Sequence, residues 1–296
     1  MRNTHALWLD FLNRLDHILV YRKGEQRAPH KPLYLLFCIA SLQQGLPRLQ
    51  SFEAINQSLS EALRRFGLRT KALHPEYPFW RLQNDNLAVV EGDAPFEFRK
   101  SNDDPKRTSL LRAKARGGFL EQDHAMLRNN LDLQSTTVHK ILDAHFPVSI
   151  HDEIIRHFGL VLNEPHSRDI ATEKEFHQAV LAAYGNSCAL TGFSVNFRGS
   201  YVGVEAAHIC WPQVGGNDHV YNGIAMTTLH RKLFHLGLFD IDENFTVRVS
   251  KEAGEDQAAH WSLRNLHGKQ IALPKDPSLR PSLKALNWHS RWVFRG

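Results

Sequence analysis

The chain has 296 residues, of which 42% are hydrophobic and 23% are charged, a composition typical of soluble globular proteins. Its length suits two domains of roughly 100–200 residues each, and its longest uncharged apolar run, residues 33–40, is too short for a membrane span of about 20 residues. The net charge of +5 is compatible with nucleic-acid binding, and most of the excess lies in residues 1–160, which hold 22 Lys and Arg against 18 Asp and Glu.

The first ten residues include Trp8 and Asp10, where a secretion signal would be apolar, so no such signal is predicted. The three cysteines, Cys38, Cys188 and Cys210, are widely spaced and form no CxxC pair. This usage argues against a disulfide framework and against a cysteine-built zinc site. We therefore expect a cytoplasmic protein without structural zinc.

In chain order, apolar residues at helical spacing predict helices over residues 8–20, 33–43 and 52–66. Pro32 suits the first turn of the second helix, and Gly67 ends the third. Residues 77–98 are predicted to be extended, with a turn at residues 84–86. Further helices are predicted over residues 107–115, 123–133 and 135–146, and another begins at Glu173 and ends at Tyr184.

The C-terminal third predicts a strand that ends at His208, a polar loop, a return strand that begins at Asn222-Gly223, and a helix that Thr228 caps. His230 lies in the first turn of this helix. A histidine titrates near neutral pH and can activate water, while a divalent cation can neutralise charge on a phosphate. The pattern therefore suits hydrolysis of a phosphodiester.

The segments Glu205-Ala-Ala-His208-Ile, Asn222-Gly-Ile-Ala and Leu229-His230-Arg-Lys-Leu-Phe resemble the HNH nuclease family, the ββα-metal fold, as does Cys188-Ala-Leu-Thr-Gly. The resemblance implies that His208 is the general base, that Asn222 orients the base or binds the metal, and that His230 is a metal ligand or a phosphate contact. Glu205 is a further candidate ligand for Mg²⁺ or Mn²⁺.

Ala207 stands where many HNH enzymes have a metal ligand, and Arg231 stands where related sequences often have a second histidine. The ligand set therefore stays open, with Asp218 and His219 as further candidates. His235 is a poor second ligand, because five residues after His230 it faces another side of the helix.

In the N-terminal half, Arg27, His30 and Lys31 lie in a basic loop that opens a helix, where backbone N–H groups favour a phosphate. The segment Tyr77-Pro78-Phe79-Trp80-Arg81 places aromatic rings beside a cation, as in proteins that stack bases. Residues 99–116, including Lys106 and Arg107, are rich in basic side chains that can follow backbone phosphates. The alternatives are a solvated helix face for the charges and a core cluster for the rings.

These segments, with Gly117-Gly118-Phe119 and His145-Phe146-Pro147, resemble the sulfur-binding domain of McrA-like, phosphorothioate-dependent restriction endonucleases. The resemblance covers roughly residues 5–160. It implies that Tyr77 and Pro78 form an apolar cup for the sulfur, and that the cations hold the phosphate: Arg27, His30, Lys31 and Arg81. Phe79 and Trp80 either contact DNA or anchor the loop in the core.

We therefore predict an α+β protein: a mainly helical sulfur-binding domain with a small β element over residues 1–160, a linker over 161–175 and an HNH domain over 176–296. The expected function is cleavage of double-stranded DNA that carries phosphorothioate. Two alternatives stay open: a non-catalytic reader with a degenerate HNH fold, and an HNH endonuclease that reads methylated or unmodified DNA. A double-strand break by one HNH site would require a homodimer or two successive cuts.

Overall fold

The computed structural model describes residues 2–20, 22–23, 26–27, 29–69, 72–163, 171–254 and 263–296. The chain divides into two compact units. Unit 1 comprises Met1–His145 and His151–His166, and unit 2 comprises Phe146–Ile150 and Ser167–Gly296. The segment 146–150 therefore groups with unit 2. Part of the predicted linker, residues 164–170, lies outside the described residues.

Unit 1 is mainly helical and includes a three-stranded antiparallel sheet in the order β3-β5-β4. Its elements are α1 (Arg2–Asp16), β1 (Arg22–Lys23), β2 (Gln26–Arg27), α2 (His30–Gln43), β3 (Gln50–Ser51), α3 (Phe52–Phe66), α4 (Glu76–Arg81), β4 (Ala88–Glu91), α5 (Arg107–Arg112), β5 (Arg116–Phe119), α6 (Glu121–Arg128), α7 (Leu131–His145) and α8 (His151–Phe158).

Helix α2 lies at the centre of unit 1 and is buried on all sides, as its nearly continuous apolar run predicts. It packs against α3, α4, α6, α7 and α8. Helix α3 has the predicted bounds. The side chain of Ser51 accepts a hydrogen bond from the Ala54 N–H and caps its first turn, and Gly67 follows its last residue.

The prediction that residues 77–82 are extended is wrong, because Glu76–Arg81 form helix α4. Pro75 is the N-cap and Pro78 lies in the first turn, where a helix needs no N–H donor, so both prolines fit a helix start. A 3₁₀ turn and Asn86, with a left-handed φ of 52°, then end the helix. This confirms the predicted turn before the extended segment β4.

The helix predicted over residues 123–133 is interrupted, since α6 ends at Arg128 and α7 begins at Leu131. The side chain of Asn130 accepts a hydrogen bond from the Leu133 N–H, a bond typical of a helix cap. The helix predicted over residues 135–146 is the remainder of α7. Helix α5 is shorter than predicted, and Lys114 beyond its end has a positive φ.

In the part of unit 2 that the structure describes, helices combine with three separate two-stranded antiparallel sheets. Its elements are α9 (Ala171–Ala183), β6 (Val195–Phe197), β7 (Ser200–Val202), β8 (Val204–His208), β9 (Gly223–Thr227), α10 (Thr228–His235), β10 (Phe239–Ile241), β11 (Val247–Val249) and α11 (Leu283–Trp292).

Strands β8 and β9 pair with His208 opposite Gly223, and both α9 and α10 pack against this pair. The predicted order of strand, loop, strand and helix is therefore confirmed. The predicted cap is wrong by one residue, because the Thr227 hydroxyl accepts the hydrogen bond from the His230 N–H. In the described part of the chain, no helix combines the length and the apolar character that a membrane crossing requires.

Candidate functional site

A cluster of aromatic and cationic side chains surrounds Tyr77 at the start of α4. The Tyr77 ring stacks on His74 with centroids 4.6 Å apart and an interplanar angle of 18°. The guanidinium carbons of Arg81 and Arg99 lie 4.5 and 5.1 Å from the centre of the same ring. Arg99 also donates to the Tyr77 hydroxyl at 2.7 Å. The geometry provides an aromatic ring flanked by two cations.

Each arginine of this cluster is held by a buried carboxylate. Arg81 donates to Asp104, and Arg99 donates to Glu76 at 2.7 Å. The two carboxylate side chains are only 5% and 4% exposed, whereas the Arg81 and Arg99 side chains are 33% and 26% exposed. Because the negative charges lie beneath the positive ones, the cluster presents cations to the solvent in a fixed orientation.

The hydrogen bond from Arg81 to Asp104 raises the pKa of the guanidinium. Burial by itself would raise the pKa of Glu76, but hydrogen bonds from Arg99, from its own backbone and from His74 together lower it. The ion pair of Glu76 and Arg99 is therefore charged at neutral pH.

His30, the first residue of α2, is not the cation that the sequence predicted. Burial, followed by the nearby His74, lowers the pKa of His30 to about 4. Its Nδ1 atom is buried and has no hydrogen-bond partner among the described residues. His30 is therefore a neutral imidazole at physiological pH, and it can contact a ligand as an uncharged donor or acceptor but adds no charge.

Lys31 is also placed differently from the prediction. It is buried, and its ammonium lies 2.5 Å from the carboxylate of Asp85, which is itself buried and also accepts from the Leu19 N–H. The Lys31 ammonium is thus paired with Asp85 at the start of α2 and is not exposed to a phosphate. Arg27 lies in β2, and its side chain is outside the described part of the structure.

Of the remaining residues predicted to bind DNA, Phe79 belongs to the core. Its ring is 0% exposed and packs on Phe52 at 4.8 Å, so the prediction of DNA contact by Phe79 is wrong. Pro78 is also buried, so it offers little surface for a sulfur cup. Trp80 is half-buried and packs edge-on against Phe96 and Phe98.

Lys106 and Arg107 lie at the start of α5, and both side chains are exposed. The ammonium of Lys106 lies 3.4 Å from Glu97, an ion pair between two exposed groups. Exposed pairs of this kind are weak, so Lys106 can exchange its partner for a phosphate at little cost.

In unit 2, His208 ends β8 and is 9% exposed. Its Nε2 lies 2.8 Å from a carboxylate oxygen of Asp218 in the loop before β9, and its ring stacks on Phe176 at 3.8 Å and 11°. With the proton on Nε2, the carboxylate accepts a hydrogen bond and the lone pair lies on Nδ1, the arrangement of a histidine base with an acidic partner.

Asn222 does not orient His208. Its side chain accepts from the Cys210 N–H at 2.9 Å and donates to the carbonyls of Cys210 and Asn217. The side-chain oxygen that the prediction assigned to a metal thus faces a backbone N–H. Asn222 stabilises the loop between the two strands.

The other two predicted metal ligands, Glu205 and His230, are also engaged by protein groups. Glu205 accepts from Arg231 at 2.7 Å and from Thr228 at 3.0 Å. His230 is buried, with Nδ1 2.7 Å from the Thr227 hydroxyl oxygen and 3.9 Å from the Cys188 sulfur. Among the described residues, no three His, Cys, Asp or Glu side chains form a group suited to a metal ion. This arrangement does not fit a preformed divalent-metal site.

Both ring nitrogens of His235 are engaged, by the Ser149 hydroxyl at 2.6 Å and by the His208 carbonyl at 3.0 Å. The bond to the His208 carbonyl connects α10 to the end of β8, and the bond to Ser149 connects α10 to the segment 146–150. His235 therefore has a structural role.

The sequence did not predict the contacts that His74, Arg99 and Asp218 make in these clusters, nor those of Glu76, Asp104 and Phe176. His74 and Arg99 lie outside the segment 77–81, and no local sequence pattern links them to Tyr77. Asp218 was considered only as a metal ligand, yet it contacts His208. The position of Asp218 in the loop between β8 and β9 is the sequence signal that could have indicated its contact with His208.

Three solved structures resemble parts of the chain. The sulfur-binding domain of ScoMcrA complexed with phosphorothioated DNA is 22% identical, with a TM-score of 0.45, and the match covers 50% of this chain and 94% of that one. The sulfur-binding domain of SprMcrA complexed with phosphorothioated DNA is 21% identical, with a TM-score of 0.45, and the match covers 52% of this chain and 94% of that one. The modification-dependent TagI restriction endonuclease is 16% identical, with a TM-score of 0.31, and the match covers 45% of this chain and 40% of that one.

No curated protein matches the chain. The family model of the ScoMcrA-like DNA sulfur-binding domain matches residues 9–163, just over half of the 296 residues. The match includes the whole cluster around Tyr77. The chain therefore belongs to the ScoMcrA-like DNA sulfur-binding domain family.

Proposed function

We propose that the chain is a DNA endonuclease that acts on phosphorothioated DNA, with unit 1 as the reader and unit 2 as an HNH nuclease. The family membership carries the first half of this proposal, since the family is named for binding sulfur in DNA. The pair of His208 and Asp218, on the strand, loop, strand and helix of unit 2, supports the second half.

The cluster around Tyr77 has the chemistry that phosphorothioate requires. Sulfur is larger and less strongly hydrated than oxygen, so an apolar surface favours it, while the remaining negative charge favours cations. The Tyr77 ring supplies apolar surface, Arg81 and Arg99 supply cations, and His30 supplies an uncharged polar group. An exposed cation such as Lys106 adds attraction to DNA of any kind.

In unit 2, His208 would remove a proton from the attacking water, and Asp218 would stabilise the imidazolium that forms. Phe176, stacked on the ring, would hold its orientation. A requirement for Mg²⁺ or Mn²⁺ stays a prediction from the HNH resemblance, and we assign no step to the ion because the candidate ligands are engaged elsewhere.

A second function, a reader of phosphorothioated DNA without catalysis, is favoured by the ion pair between Glu205 and Arg231. This pair neutralises the carboxylate that HNH chemistry would direct at a metal. In such a protein, unit 2 would serve as a DNA clamp.

Matched duplexes with and without one phosphorothioate, incubated with the full-length protein in Mg²⁺, in Mn²⁺ and in EDTA, distinguish these functions. We expect cleavage of the sulfur-bearing duplex only, in the presence of a metal, and loss of cleavage but not of binding in His208→Ala. Tyr77→Ala should lose the preference for sulfur, whereas Lys106→Ala should weaken binding to both duplexes and flatten its salt dependence.

Selective binding without nicking in any metal would establish the reader. Equal cleavage of both duplexes would contradict the proposed substrate. A His208→Ala variant that still cuts would remove His208 as the base.

A further inference from the structure

Unit 2 contains a β-hairpin, β6 and β7, whose side chains are all exposed. Its strands pair antiparallel, with Val195 opposite Val202 and Phe197 opposite Ser200. The turn consists of Arg198 and Gly199, both at positive φ, as two-residue hairpin turns require. A two-stranded hairpin gains little stability by itself. A hairpin that is exposed and yet has a well-formed turn is therefore a candidate for a binding role.

One face of this hairpin is apolar. Residues directly opposite in an antiparallel pair share a face, so Val195, Phe197 and Val202 lie on the same side. On this face, Phe197 is 64% exposed and the two valines are also exposed, whereas Tyr201, opposite Asn196, is exposed on the other face. Large apolar side chains grouped in this way on a surface indicate an interaction site.

The charge of the segment selects the partner. Residues 186–204 contain no Asp or Glu, and their one basic residue is Arg198, at the turn. Its guanidinium carbon lies 5.4 Å from the centre of the Phe197 ring. An aromatic side chain beside a cation, on a segment that carries no acid, suits a polyanion with flat apolar surfaces, which is the description of a nucleic acid.

The base of the hairpin is joined to the candidate nuclease site. The Gly203 carbonyl accepts a hydrogen bond from Thr228 N–H at the start of α10, and the chain continues directly into β8, which ends at His208. At about 3.3 Å per residue, the ten residues from Arg198 to His208 span at most roughly 33 Å, a length of about ten base pairs. DNA bound at His208 therefore extends far enough to reach the hairpin.

We propose that the β6–β7 hairpin is a DNA contact of unit 2, in which Phe197 packs against bases or sugars in a groove and Arg198 binds a phosphate. The inference rests on the proposed function only in taking DNA as the partner. It requires no sulfur, so the contact should act on modified and unmodified duplexes alike.

The test compares DNA affinity of full-length variants in EDTA, with and without phosphorothioate in the duplex. Phe197→Ala should weaken binding to both duplexes about tenfold, as expected for one lost stacking contact. Arg198→Asn, which tolerates positive φ, should reduce the salt slope by about one. Leu283→Ala removes another exposed apolar side chain, from α11, and should leave DNA affinity unchanged.

Unchanged affinity in Phe197→Ala would overturn the hairpin contact. So would a Phe197→Ala variant that dissociates a dimer in sedimentation experiments yet keeps its DNA affinity, since the hairpin would then bind a second copy. If the wild-type protein does not prefer sulfur, the proposed function fails, while the effect of Phe197→Ala on both duplexes still tests the hairpin. Failure to bind either duplex overturns both proposals.

Discussion

At the residue scale, acids orient side chains in both candidate sites; the acids are buried in the cluster around Tyr77, whereas Asp218 in unit 2 is exposed. Glu76 and Asp104 hold the arginines around Tyr77, and Asp218 contacts His208. A carboxylate that accepts a hydrogen bond fixes the orientation of the side chain that donates it. When the partner is a histidine, the bond also fixes which ring nitrogen carries the proton. In unit 2, this assigns to Asp218 the orienting task that the sequence suggested for Asn222.

Asp218→Ala should therefore change the tautomer of His208 and lower the cleavage rate about tenfold to a hundredfold, with DNA affinity little changed. The tautomer is measured by the nitrogen chemical shifts of the ring, a readout that does not depend on cleavage. Asp276, an exposed acid elsewhere in unit 2, provides the control variant Asp276→Ala. Equal effects of the two substitutions on the ring and on cleavage would contradict the role of Asp218.

At the scale of elements, the packing of α9 on β9 depends on a residue without a side chain. A Cβ atom on Gly223 would lie 2.4 Å from a methyl carbon of Val180 and 2.8 Å from the Phe176 ring. Gly223 is opposite His208 in the strand pair, and Phe176 stacks on that histidine. The glycine thus permits the close approach that positions the ring beneath His208.

Gly223→Ala should lower the free energy of unfolding by about 1–3 kcal/mol and displace Phe176 from His208, because the helix cannot move away without opening the core. Gly254→Ala is the control, since a Cβ there meets no atom within 4 Å, and a change within about 0.5 kcal/mol is expected. Urea unfolding of both variants provides the measurement. The packing argument fails if Gly223→Ala is as stable as the control.

On the scale of the whole molecule, unit 2 contains two buried histidines that are neutral in the native state. Burial lowers the pKa of His289 to about 3 and lowers the pKa of His235 well below its ordinary value. His289 stacks on Phe234 at 3.6 Å and donates to its carbonyl. When unfolded, both histidines take up a proton near pH 6.5.

Acid should therefore destabilise unit 2. Above about pH 6.5 both states are neutral, and their difference in proton binding vanishes. As the pH falls from about 6.5 towards 4, the unfolded state binds more protons, so stability decreases by up to about 1.4 kcal/mol per pH unit for each histidine. Hydrogen exchange of the β8 and β9 amides in the full-length protein measures this slope.

His289→Gln should reduce the slope by up to one proton, whereas His219→Gln, at an exposed ring, should leave it unchanged. A wild-type slope near zero would show that these two histidines are protonated in the native state.

Local sequence signals predicted α2, α3 and the β8, β9 and α10 order correctly, because periodicity, caps and glycine stops act within a few residues. They failed over residues 77–82, where prolines that favour a helix start were taken as features of an extended chain. They also failed at Asn130, where a capping bond divides two helices.

The sequence by itself determined the family, the two-part organisation and the candidate side chains Tyr77, Arg81 and His208. Only the tertiary structure decided their surroundings. It buried Phe79 and Lys31, made His30 neutral, and brought Arg99 to Tyr77 and Asp218 to His208. The physical reason is that burial and ion pairing depend on segments distant in the chain, whereas residue type and spacing report only on the local backbone.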